Sequence, residues 1–323
     1  MIRTMFFVTT THAKFANGDT MDEKNVVATT EENAETKEIL DELAAEPTVK
    51  KTRVWEVDFL RGFLILFVVW DHFMWDIVYG VNGNYNTGLF KWLYDLGVGY
   101  YGGILRETTH DAFVTLFIFL SGVSCSFSRS NGRRAIKMVV FAFAFTAVTF
   151  AVSSIIGENI TVRFNVIHVI ALSVALWTGI KWVCGKCTKP WQKNLFGAVM
   201  TCIIVAVIVS GSCAKIAHIV VGKPWSTEHS FWFFLFDYSG SKGYSQFFGG
   251  DCWPFFPDFG WFLIGAFLGR ALYKEKKSLF PSVNPKYVSP LTFCGRHSIW
   301  IYFGSQVVMY GLIFLLHGIL NIL

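Results

Sequence analysis

Charge is scarce in this sequence. Only 16% of the 323 residues are Asp, Glu, Lys or Arg, against 53% that are hydrophobic. The apolar residues gather into long runs between short basic loops, which is the pattern of a polytopic membrane protein and excludes a water-soluble domain. A basic patch is also missing. The formal net charge of +5 is spread over short loops, where it reports membrane orientation and offers no surface to nucleic acid. Seven cysteines are too few and too scattered for a disulfide scaffold, and Cys125 and Cys202 lie inside apolar runs as small hydrophobes. No two histidines share a short ligand spacing such as i, i+4, so no metal is expected. Nor is there an internal repeat of the inverted-transporter kind.

Residues 1–52 are rich in Thr, Glu, Asp, Asn and Ala and have no aromatic residue after Phe15. They cannot bury enough apolar surface to offset their ordering entropy, and are expected to form a disordered cytoplasmic tail. The apolar run at 5–8 is too short for a signal-peptide core. Membrane spans are expected at 57–78, 111–128, 138–156, 164–184, 195–210, 259–273 and 297–320. Between the first two, 82–86 has turn chemistry and 89–101 is amphipathic, suited to lie along the interface. Basic clusters recur on every second side: Arg129, Arg133, Arg134 and Lys137, then Lys186, Lys189 and Lys193, then Lys274, Lys276 and Lys277. This alternation places the N-terminus in the cytoplasm and the C-terminus outside. The expected fold class is therefore an all-α transmembrane bundle of about seven spans. Residues 211–258 leave room for a re-entrant piece at 214–221 or 230–236, which would add a helix. Cys213 and Cys252 share that outer segment, where pairing and free thiols both stay open.

The first span carries the most information. Its sequence, RVWEVDFLRGFLILFVVWDH over 53–72, places Arg61 and His72 eleven positions apart on an otherwise apolar helix. At about 100° per residue they return to nearly one face, roughly 16 Å apart along the axis. Ile65, Val68 and Val69 line the stretch between them, which suits a slender ligand with a charged head at Arg61 and reactive chemistry at His72. Arginine alone also fits a side chain snorkelling to the headgroups.

Other ionisable groups at membrane depth mark function or a pathway by default. Asp71 adjoins His72 and Asp76 lies one turn beyond. His110 and Asp111 open the second span, His168 is one turn into the fourth, Asp258 begins the sixth and Gln306 lies midway along the seventh. These residues converge on one polar chamber near the outer leaflet, with Asp58, Arg61 and Arg296 at the inner side. Plain structural roles compete with this: an interfacial position for Asp71 and Asp76, a helix cap for Asp111 and a helix-to-helix hydrogen bond for His168.

Arg61, ten residues and then His72 resemble the arginine-to-histidine signature of the acyltransferase-3 superfamily. The surrounding RVWEVDFLRGFLILFVVWDHF is similar to the heparan-α-glucosaminide N-acetyltransferase catalytic-domain family. FVTLFIFLSGVSCSFS, FNVIHVIALS, WPFFPDFGWFLIGAFLGR and CGRHSIWIYFGSQ resemble further conserved helices of that family, in the expected order. The resemblance implies that residues 53–323 are a transmembrane acyltransferase domain of the plasma membrane. Such an enzyme moves an acetyl or short acyl group from cytoplasmic acyl-CoA, with acetyl-CoA as the usual donor, to an amine or hydroxyl of an extracytoplasmic sugar or cell-envelope glycan. It implies Arg61 and Arg296 as holders of the coenzyme phosphates. His72 becomes the general base on the acceptor, oriented by Asp71, Asp76 or Asp111, with His110 beside them. An acetyl-histidine intermediate is the alternative route, and His168, Asp258 and Gln306 line the substrate chamber. A transporter or export protein using the same chamber is the competing class, and would show broken helices in corresponding halves.

Overall fold

A computed structural model describes residues 54–80, 88–128, 130–157, 161–221, 235–236 and 252–322. The expected tail at 1–52, the turn at 82–86 and most of the 230–236 piece lie outside the described residues. Those described are helical or irregular, with no strand among them. In chain order the helices are α1 (Trp55–Trp75), continued by a π-helical turn (Asp76–Gly80), α2 (Gly88–Tyr101), α3 (Ile104–Ser124), α4 (Asn131–Ile156), α5 (Val166–Lys186), α6 (Pro190–Val221), α7 (Asp258–Leu272), α8 (Ser289–Arg296) and α9 (Ser298–Ile322).

The protein is an integral membrane protein. Trp55–Tyr79, Asn131–Ile155, Val166–Lys186 and Pro190–Ala214 are long and apolar enough to cross a bilayer, and Thr109–Ser124 and Ser298–Ile313 are shorter apolar helices. Only 6% of the α4 span is buried. Its exposed residues are Ile136, Val140, Phe143 and Val148, a surface that hydrocarbon can cover and water cannot. A helix stands at each of the seven expected positions, but length and composition qualify four of them as spans. α7 has 15 residues, about 22 Å of helix, and owes its apolar character to the protein interior: Phe262, Leu263 and Ala266 are fully buried.

Local chemistry sets the ends. Ser130 caps α4 through its hydroxyl, which accepts from the Arg133 backbone N–H, and Gly157 ends that helix at a left-handed φ of 82°. Asn165 caps α5 in a reciprocal box with His168. Two boundaries differ from the sequence expectation. α3 starts at Ile104 rather than 111, which draws Arg106, His110 and Asp111 into its first two turns, so Asp111 is not an N-cap. Residues 214–221 continue α6 rather than re-entering. Gly211 does not break that helix: a Cβ there would lie 2.5 Å from the Pro257 nitrogen, so the glycine serves a close approach. No disulfide forms among the described residues, Cys213 and Cys252 included.

Two close crossings fix the bundle. Gly122 on α3 and Gly265 on α7 lie so close to the opposite backbones that a Cβ would come within 2.1 Å of the Phe262 carbonyl oxygen and 2.2 Å of that of Phe119. Gly62 on α1 and Gly295 on α8 do the same, at 1.8 Å from the Leu291 carbonyl oxygen and 1.7 Å from that of Asp58. Behind α3, helices α5, α6 and α7 share a core that includes Ile118, Val169, Trp177, Met200 and Phe262. The other side of α3 faces α1, and the space between them is the site.

Candidate active site

A cavity of about 220 Å³ runs along α1, walled by α3, α4, α5, α8 and α9. Arg61, Ile65, Val68 and His72 all line it, so the helical spacing that brings Arg61 and His72 to one face also turns that face inward. The two ends differ in chemistry. One is cationic, with Arg61, Arg134 and Arg296; the other holds Asp71, His72, Tyr100, His110 and Trp253; Phe113, Val114, Phe117, Met138, Ile167, Ile170 and Ile299 supply hydrocarbon between them.

At the cationic end the charges are only partly offset. The Arg61 Nε is buried without a hydrogen-bond partner. Among the described residues the Arg134 guanidinium donates to neutral groups, the Ser121 hydroxyl at 3.2 Å and the Cys125 sulfur at 3.6 Å. Arg134 repels the Arg61 guanidinium and Asp58 attracts it. Arg296 is different, because its Nε donates to Asp58 at 3.2 Å. Two guanidiniums facing one cavity, with Asp58 hydrogen-bonded to Arg296 rather than to either of them, constitute a binding place for an anion, and a phosphate accepts from their planar donors in pairs.

At the far end, the His72 Nδ1 lies 2.8 Å from the Val68 carbonyl oxygen. A carbonyl only accepts, so Nδ1 carries a proton, and in the neutral imidazole the lone pair is on Nε2. The ring meets Tyr302 edge-on at 5.3 Å. Among the described residues no carboxylate orients this imidazole by a hydrogen bond; the backbone of its own helix does. Asp76, one turn on, interacts with His72 only through its charge, and its Oδ2 is buried without a hydrogen-bond partner.

Asp71 is the hub of the cavity mouth. Arg106 donates from Nε to Oδ1 at 3.0 Å and from a terminal nitrogen to Oδ2 at 3.3 Å. The Tyr100 hydroxyl donates to Oδ1 at 3.0 Å and the Tyr101 hydroxyl to the Asp71 carbonyl at 3.0 Å. Tyr100 lies on α2, outside the spans; burial and the Asp71 carboxylate push its hydroxyl up to about 12, so it stays a donor throughout the physiological range. His110 stands between two carboxylates, Nε2 at 3.6 Å from Asp71 and Nδ1 at 3.2 Å from Asp111.

The remaining expected residues lie behind the walls. His168 is bonded to Asn165 at 2.9 Å and to the Thr146 hydroxyl at 2.9 Å, a capping and helix-to-helix role. Asp258 accepts from the Thr115 hydroxyl at 2.6 Å and from the Trp253 indole N–H, which makes it a support of the wall. Asp76, Asp111 and Gln306 do not line the cavity either. Sequence reasoning missed Arg134, Ser121, Arg106, Tyr100 and Trp253. Arg134 was read only as topological charge, yet it stands one residue before the buried Ala135 in the first turns of α4, and that register points it inward.

Fold and site together define a helical integral membrane protein with an internal, chemically polarised chamber. Residues 53–307 match the family model described as heparan-alpha-glucosaminide N-acetyltransferase, catalytic, and the chain belongs to that family. No match was found among curated proteins or among solved structures.

Proposed function

We propose that the protein is a membrane acyltransferase of the acyltransferase-3 superfamily, which moves an acetyl or short acyl group from acyl-CoA to an amine or hydroxyl of a sugar or glycan across the plasma membrane. The observation that carries this reading is a cavity with the Arg61 and Arg134 guanidiniums at one end and an imidazole nitrogen of His72 at the other. A coenzyme A thioester has that shape and polarity: phosphates at one end, a slender arm, and a reactive carbonyl at the other. Arg61 and Arg134, assisted by Arg296, bind the phosphates on the cytoplasmic side. The arm lies along Ile65 and Val68. The acceptor nitrogen or oxygen attacks the thioester carbonyl, His72 Nε2 takes its proton, the carbon–sulfur bond breaks and the imidazolium returns the proton to the leaving thiolate. Val68 holds the ring in the tautomer this requires. Asp71 positions the mouth through Arg106, Tyr100 and His110.

The test is to follow radiolabelled acetyl-CoA with purified protein in vesicles, first without acceptor and then with glucosamine. Slow donor hydrolysis, accelerated consumption with acetylated glucosamine as product, and loss of both in His72→Ala are expected. A protein that leaves acetyl-CoA intact but carries solute or protons across the vesicle overturns the reading.

A further inference from the structure

Among the described residues, Trp253 is the one large aromatic side chain that the segment before α7 contributes to the cavity. It is only 8% exposed and is held from several sides. Its backbone N–H donates to the Phe164 carbonyl at 3.1 Å, its indole N–H is turned to Asp258, and the His110 ring meets it at 5.7 Å and 62°. Asp258 is in turn fixed by Thr115. With the N–H directed away, the ring offers the cavity carbon surface rather than a hydrogen-bond donor. Asp71, His72, Tyr100 and His110 line the same end.

An aromatic face bordered by a carboxylate, imidazoles and a phenol discriminates among occupants. An acyl chain would gain from the ring but would offer no hydrogen bond to His72 Nε2 or to the remaining lone pairs of Asp71 and Tyr100. Phosphates belong to the arginine end. A pyranose has both surfaces needed: its axial C–H bonds are polarised positive and complement the negative π face, while its equatorial hydroxyls reach sideways to hydrogen-bonding groups. We infer that the indole face of Trp253, fixed from behind by Asp258, is the platform on which the pyranose ring of the acceptor stacks beside His72. This rests on the acyltransferase reading and adds to it a residue that selects the acceptor.

Two measurements test the platform, one of them independent of turnover. Saturation-transfer NMR with glucosamine and the wild-type protein should show the axial ring protons receiving more saturation than the hydroxymethyl protons, and Trp253→Leu should abolish the difference. In turnover, the preference for glucosamine over serinol, an open-chain amino alcohol, should fall about tenfold in Trp253→Leu through KM and stay within about threefold of wild type in Trp253→Phe. If the leucine variant does not fold, Trp253→Tyr and Trp253→His carry the comparison, and preference should follow the size of the ring face. Equal loss for glucosamine and serinol, equal loss in the leucine and phenylalanine variants, or a changed preference for acetyl over butyryl donor with an unchanged glucosamine KM overturns the platform. So does an absence of saturation transfer in the wild type. Donor hydrolysis reports separately on the transferase reading, which fails only if the wild type leaves acetyl-CoA intact.

Discussion

His72 and Arg61 sit on one helix but depend on their surroundings in opposite ways. The His72 tautomer is set by a backbone carbonyl four residues back, so no single side-chain substitution nearby should invert it. His72→Ala should lower transfer about a hundredfold or more while leaving the affinity for acetyl-CoA unchanged, because the loss is that of a general base; kinetics and equilibrium binding on the same preparation check this, and near-wild-type turnover would exclude the role. Arg61→Ala and Arg134→Ala should each weaken donor binding roughly tenfold to a hundredfold, the worth of one charged hydrogen-bonding group. Arg61→Lys should recover only part of it, since a lysine keeps the charge and loses the fork. Neither change orphans a carboxylate, so thermal stability should hold. Asp71 behaves differently: Asp71→Ala removes the carboxylate from the partly buried Arg106 guanidinium and leaves it the Tyr101 ring, which costs about 1–3 kcal/mol. Arg106→Ala added to it should restore part of that stability, a coupling that a double-mutant cycle measures.

At the scale of elements, the positions of the long helices and the shared face of Arg61 and His72 were legible because they are local. Hydropathy runs and an eleven-residue spacing need nothing beyond one helix. What was not legible depends on contacts between helices. Arg134 and Trp253 join the cavity only because α4 and the segment before α7 are brought against α1 and α3, and no periodicity within either stretch announces that. α3 starts earlier than the expected span for a related reason: Arg106 and His110 look like loop residues until their partner Asp71 on α1 is seen. The α1–α8 crossing turns such a long-range contact into a test. Gly295→Ala would put a Cβ 1.7 Å from the Asp58 carbonyl oxygen, and backbone cannot rotate aside, so α8 must retreat and take Arg296 with it. Stability should fall by about 1–3 kcal/mol and donor affinity should fall with it. Gly304→Ala, with nothing within 4 Å of the added atom, should change neither, and similar effects from the two variants would show that the crossing does not shape the donor end.

For the whole molecule the decisive quantity is sidedness. The basic clusters around Arg133, Lys193 and Lys274 lie after α3, α5 and α7, and Lys193 and Lys274 are exposed. If all three loops face the cytoplasm, the number of crossings between successive clusters must be even, and α7 has to cross although it is short. Its shortness is compatible with that, because a helix with Phe259, Phe262, Leu263 and Ala266 buried in protein and only Trp261, Leu268 and Leu272 as large exposed apolar side chains has little hydrocarbon to match. In a background with the seven native cysteines replaced by alanine, single cysteines at Lys193 and Lys274 should react with an impermeant thiol reagent only after the cells are opened. A cysteine at Asn84 should react in intact cells. The same frame puts the Arg61 end of the cavity toward the cytoplasm and the His72 end roughly 16 Å further out, so donor and acceptor should enter from opposite faces. Sealed vesicles of known orientation, with acetyl-CoA on one side and glucosamine on the other, should give product in that arrangement alone. Product formed only when both share the cytoplasmic face would refute transfer across the membrane while leaving the acyltransferase chemistry at His72 intact.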